Sequence, residues 1–167
     1  MKYYITMLFL LTSLACSSTK EHTNYKYGKN PQMLQQPTLL RTDGVYVYVF
    51  NYEGKNKSYR FLRFFENGRC FASKHFDGAE MQKNSLLKIE KKDDSRTFYR
   101  NKGNEIIYEN WGGSYALYVY NFCTVDSLGL NYNGYKSRSW TSSREIYPQP
   151  NRYNFVPIDF KNKTADW

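Results

Sequence analysis

Cys16 ends the run Ser13-Leu14-Ala15-Cys16, in which small residues lead to a thiol. Lys2 supplies a positive start and Tyr4–Leu11 a short apolar stretch. Together Met1–Cys16 reads as a lipoprotein export signal, cleaved after Ala15, with Cys16 lipid-modified as the new first residue. Lipoprotein signals usually carry Leu three residues before the Cys, and here that position is Ser13. Ser13-Leu14-Ala15 also fits the small-x-small rule of an ordinary secretory signal, which cuts the same bond. Either way the chain is exported, and the apolar stretch is too short to span a bilayer.

The other reactive residues give weaker patterns. Cys70 and Cys123 remain once Cys16 is acylated, and an exported chain meets an oxidising compartment. A bond between them closes a loop of about 50 residues, worth around 4 kcal/mol in the chain-entropy account. The alternative is two separate buried thiols. Neither Cys belongs to a CxxC motif. His22 and His75 show no HxH or HExxH spacing, so no metal site is expected, and no cofactor motif is present. Asp93-Asp94 sits in a Lys-flanked turn and reads as a solvated loop. Glu66, Glu105 and Glu109 form a catalytic pair only if the fold brings two of them together. Gly112-Gly113-Ser114 reads as a turn rather than a nucleophile motif. No catalytic residue is assigned, and the chain is not expected to be an enzyme.

The chain has 167 residues and a formal charge of +9, one less without Lys2. Basic charge favours anionic partners. For an exported protein these are anionic lipid or an acidic glycan rather than nucleic acid. Lys and Arg are spread along the chain, which equally fits a solvated basic surface without a specific partner. The chain is expected to be monomeric and attached to the membrane through its lipid anchor.

Aromatic residues make up 19% of the chain, led by 17 Tyr and 11 Phe, which favours pleated, half-buried surfaces. Ser17 to about Gln36 is polar and aperiodic, and reads as a flexible tether with a reach of roughly 25 Å. From Thr38 the pattern changes. Val45–Phe50 alternates aliphatic and aromatic residues, making both faces apolar. Glu66-Asn67-Gly68-Arg69 and Asn101-Lys102-Gly103-Asn104 read as tight turns, and Asn133-Gly134 as the strongest hairpin signal. The spacing predicts about ten short strands, with Ser85–Lys91 among them and a short helical turn at Met81–Leu87 as a weak alternative. The expected class is all-β: an antiparallel up-and-down meander forming a closed or partly open barrel of about 8–10 strands, in preference to a sandwich because closure hides the edges. The expected layout is a signal at 1–15, lipidated Cys and tether at 16–37, the barrel at 38–160 and a tail at 161–167.

Tyr46, Tyr48 and Phe50 share one face of the first strand, and Tyr118, Tyr120 and Phe122 one face of the longest. Such faces either line a ligand cavity or form an ordinary aromatic core. A buried Tyr hydroxyl needs a partner, so inward-facing Tyr clusters favour a wet or ligand-filled interior. Trp111 and Trp140, near strand ends, are candidates for flanking a barrel mouth.

Leu40-Arg41-Thr42-Asp43-Gly44-Val45-Tyr46 and Arg60-Phe61-Leu62-Arg63-Phe64-Phe65-Glu66-Asn67-Gly68 resemble segments of small lipocalin-like lipoproteins of Bacteroidetes-type bacteria. Gly44-Val45-Tyr46 stands where lipocalins carry Gly-x-Trp, with Tyr for Trp. The resemblance implies a lipocalin-like barrel over about residues 39–160, with an apolar cavity, in a protein anchored in the bacterial envelope at the outer membrane. The expected function is binding of a small apolar or amphipathic ligand. The alternative is a filled-barrel interaction or inhibitor lipoprotein of the immunity type, acting through its basic outer face.

Overall fold

The computed structural model describes residues 26–51, 57–73, 76–77, 96–112, 117–137 and 145–158. These form nine strands: β1 (Gly44–Asn51), β2 (Lys57–Phe64), β3 (Arg69–Ala72), β4 (Phe76–Asp77), β5 (Arg96–Lys102), β6 (Glu105–Gly112), β7 (Leu117–Asp126), β8 (Gly129–Ser137) and β9 (Glu145–Pro157). Each pairs antiparallel with its neighbours in the order β1-β9-β8-β7-β6-β5-β3-β2, and β1 pairs with β2 to close the ring. β4 lies beside β3 along β2, so the two share one position of an eight-stranded up-and-down barrel. Ser73, between them, stays tied to β2: its Oγ accepts from the Phe61 N–H (2.8 Å) and its N–H donates to the Phe61 carbonyl (2.9 Å).

The turns at one end are built from the residues that tolerate tight reversal. Gly68 (φ 79°) and Gly103 (φ 55°) take left-handed backbone that a side chain would strain. The segment from Leu34 to Asp43 crosses this end and closes it. The Leu34 N–H donates to the Glu66 carbonyl (2.8 Å), Gln35 exchanges hydrogen bonds with the Asn101 amide, and Leu40 enters the core. The connections at the opposite end, including the expected strand at Ser85–Lys91 and the helical turn at Met81–Leu87, lie outside the described residues.

Two apolar clusters explain why both faces of β1 are apolar. Tyr46, Leu62, Phe64, Cys70, Tyr99, Ile106, Cys123 and Leu130 fill the closed half of the interior. Val45, Val47, Phe61, Phe65 and Phe71 are buried on the outer face of β1, β2 and β3. Each fully buried Phe or Leu is worth about 2 kcal/mol of transfer free energy.

Two expectations are corrected. Residues 26–37, expected as tether, form a strap along the barrel wall. The Lys26 and Tyr27 N–H groups donate to the two oxygens of Glu109 (2.9 and 2.7 Å), and Glu109 is fully buried beneath them. A polar, aperiodic stretch can dock in this way because its backbone meets side-chain acceptors; it needs no apolar face. Asn133-Gly134 is not a hairpin. β8 runs straight through it, with a bulge that shifts the register against both β7 and β9. Gly134 (φ 128°) supplies the backbone freedom the bulge needs. The hairpin lies earlier, at Ser127-Leu128, where Asp126 Oδ1 accepts from the N–H groups of Leu128 (2.8 Å) and Gly129 (3.0 Å).

Candidate functional site

The core fills only the closed half of the barrel. Beyond it lies a cavity of about 680 Å³ between β2, β6, β7, β8 and β9, with Ala72 of β3 also in its lining. Strand alternation decides which residues reach it. From β6 come Tyr108 and Asn110, from β7 Val119 and Asn121, from β8 Tyr132 and Tyr135, and from β9 Asn151 and Tyr153. From β2 come Arg60 and Leu62, with Leu62 at the floor.

The wall carries ordered polar contacts. Tyr132 donates its hydroxyl to Asn121 Oδ1 (2.9 Å), and the Asn121 amide nitrogen reaches the Tyr108 carbonyl at 3.4 Å. Tyr48 donates to Asn151 Oδ1 (3.2 Å), with its ring 5.3 Å from that of Tyr153. Burial pushes the Tyr108 and Tyr153 hydroxyls up from their ordinary range, and the nearby Arg60 guanidinium draws Tyr153 partly back. Both therefore stay protonated at neutral pH and can donate. The Arg60 guanidinium lies 5.5 Å from the centre of the Phe50 ring, within cation–π range.

The aromatic residues expected to line a cavity divide. Tyr48 and Phe50 stack at 5.5 Å beside it, in contact with the lining residues Asn151, Tyr153 and Arg60. Tyr46 lies deeper, in the core, accepting from the Arg41 N–H (2.8 Å) through its hydroxyl. Tyr118, Tyr120 and Phe122 are corrected outright: the opposite face of β7, carrying Val119, Asn121, Cys123 and Val125, points inward. Tyr120 packs outside instead, its ring 5.7 Å from that of Tyr27 on the strap. The more aromatic face of β7 thus covers the strap contact, while the less aromatic face lines the interior. Trp111 takes its place in β6 opposite Tyr118. Trp140 and Cys16 lie outside the described residues.

Of the two readings of Cys70 and Cys123, the structure has them as separate thiols. Both are free, buried thiols of the core. Burial pushes both thiols up from their ordinary range. Among the described residues, no group of three or more His, Cys, Asp or Glu side chains is placed to hold a metal ion.

No protein-family model, curated protein or solved structure matches this chain. The cavity must therefore be read from its own chemistry. None of the residues expected from the sequence is among its lining residues; those missed include the tyrosines Tyr108, Tyr132, Tyr135 and Tyr153, the amides Asn110, Asn121 and Asn151, and the cation Arg60. The available signal was alternation: Asn110 falls two residues from Tyr108, and Asn121 two from Val119, so each shares a face with a residue suited to an interior.

Proposed function

We propose that this chain is a lipid-anchored binding protein of the bacterial envelope, a lipocalin-like carrier rather than an enzyme, holding a small amphipathic ligand in the unfilled half of its barrel. The observation that carries this reading is the cavity of about 680 Å³ above a packed core. Its size falls in the usual range for small-molecule sites. Its wall mixes aromatic and aliphatic surface with amide and hydroxyl groups, which favours an amphipathic ligand over a wholly apolar one. The same unfilled volume weighs against a filled-barrel protein that acts only through its outer face.

The test is native mass spectrometry of the full chain carrying Cys16→Ser, which removes the proposed acyl anchor, purified without detergent from a bacterial host. The reading expects a reproducible added mass that disappears on denaturation. It also expects that mass to vanish in Ala72→Phe, which fills the cavity from β3, while circular dichroism stays that of the wild type. A bare polypeptide in every preparation, or an adduct unaffected by Ala72→Phe, overturns it.

A further inference from the structure

We propose that the ligand is an amphipathic anion, whose single acidic group — carboxylate, sulfonate or phosphate — is held by Arg60 while its body lies among the tyrosines of the cavity. This rests on the carrier reading of the same cavity and specifies its ligand class.

Three observations converge on it. Arg60 is the one charged residue among the described residues that line the cavity, and none of those lining residues is a carboxylate. The site therefore offers a positive charge that its described wall leaves for a ligand to neutralise. Arg60 also sits toward the outer end of the space: β2 runs from Lys57 to Phe64, with Leu62 and Phe64 in the core below. An acidic group there stays near water while the rest of the ligand goes deeper. Finally, the guanidinium of the exposed Arg60 lies 5.5 Å from the centre of the Phe50 ring, at the rim of the cavity. A planar guanidinium there can present its N–H fork to a planar or tetrahedral anion. The net charge of +9 adds long-range attraction of the same sign.

Deeper in, Tyr108, Tyr132 and Tyr153 present ring surfaces, and Asn121 and Asn151 are already engaged by the Tyr132 and Tyr48 hydroxyls. Ring stacking, with a few hydrogen bonds to fix orientation, is what this lining offers to a ligand body.

A matched pair of fluorescent probes tests the inference on the full chain. Anilinonaphthalene sulfonate and phenylnaphthylamine share an aryl skeleton, and only the first carries an anionic group. The inference expects the sulfonate to bind one per chain and about tenfold more tightly than the neutral probe, as a charge-assisted contact implies. Arg60→Met should abolish that preference, bringing the sulfonate's affinity to that of the neutral probe in the same variant. Arg60→Lys, which keeps the charge, should retain part of it. Raising salt should weaken only the sulfonate. Equal binding of both probes, or a preference for the sulfonate that survives Arg60→Met, overturns the inference and leaves the carrier reading standing. Failure of both probes to bind overturns the inference and counts against the carrier reading too.

Discussion

The Tyr132 hydroxyl donates to Asn121 Oδ1 at 2.9 Å, joining β8 to β7 across the cavity wall. Asn121 is nearly buried, and its amide nitrogen reaches on to the Tyr108 carbonyl. Three strands are thus connected through one side chain. Tyr132→Phe removes the donor and leaves the Asn121 oxygen short of a partner. The expected loss of stability is about 1 kcal/mol, read from the urea midpoint with an unchanged slope. An unchanged midpoint would mean that water replaces the hydroxyl without penalty.

Glu109 predicts the behaviour of the strap. It is fully buried and accepts from the N–H groups of Lys26 and Tyr27. Glu109→Ala removes both acceptors, at an expected cost of about 2 kcal/mol. Tryptic cleavage after Lys26 and Lys29 should then speed up in the native protein. Glu109→Gln keeps one acceptor oxygen and should fall between the two. Wild-type cleavage rates in Glu109→Ala would show that the other contacts, including those of the Tyr27 ring with Arg100 and Tyr120, hold the strap without it.

Acid stability should depend on Asp126. Arg152 forks onto both of its oxygens (2.6 and 3.1 Å), and the Leu128 and Gly129 N–H groups also donate to it. The Arg152 guanidinium, followed by the Leu128 N–H, holds the Asp126 carboxyl well below the usual carboxylate range. Folding therefore favours the ionised form. The resulting stabilisation is complete above the ordinary carboxyl pKa and is lost as pH falls from about 4 through the lower folded value. The melting temperature of the wild type should drop over that interval, and Asp126→Asn should melt lower at neutral pH and flatten the descent. Parallel curves for the two proteins would contradict this.

The two core thiols should be inert. Burial raises both Cys70 and Cys123, which suppresses the thiolate that alkylation requires. Iodoacetamide at about pH 8 should leave both unlabelled in the native protein and label both in denaturant, as read by peptide mass spectrometry. Labelling of either in the native state would show that the core opens locally. Resistance of both even in denaturant would reveal a disulfide.

The fold class was legible because the closed-end turns announce themselves. Glu66–Arg69 and Asn101–Asn104 carry Gly where a positive φ is needed, and alternating aromatic runs lie between them. The bulge at Asn133-Gly134 was misread because the same dipeptide serves a hairpin and a bulge; what decides between them is the Asp126 cap on the Ser127-Leu128 turn, a contact that spacing alone does not reveal. The cavity was legible only at its edge, where Tyr48 and Phe50 of β1 touch its lining residues. On β1 the aromatic face points inward, but on β7 the more aromatic face lies outside and meets the strap. Local hydrophobicity ranks the two faces of a strand, whereas barrel closure and the docking of residues 26–40 decide which is the interior. Arg60 was hidden for the same reason: a charge in an apolar run reads as an outward position until the ring of strands is known.

The seam of the ring joins Gly44–Val47 of β1 to Asn154–Pro157 of β9, the first and last strands of the barrel. Gly44 has no room for a side chain there, since a Cβ would run into the Val156 carbonyl and the Phe155 ring. Arg41 covers the joint from 4.0 Å above the Phe155 ring. During synthesis β1 emerges early and must wait for β9, the last of the described strands, before the ring can close. Until then the nascent sheet is an open ribbon with two bare edges, the form most prone to pair with other chains. Completion of the barrel therefore waits on β9, and shielding of that ribbon falls to whatever accompanies the chain before β9 arrives.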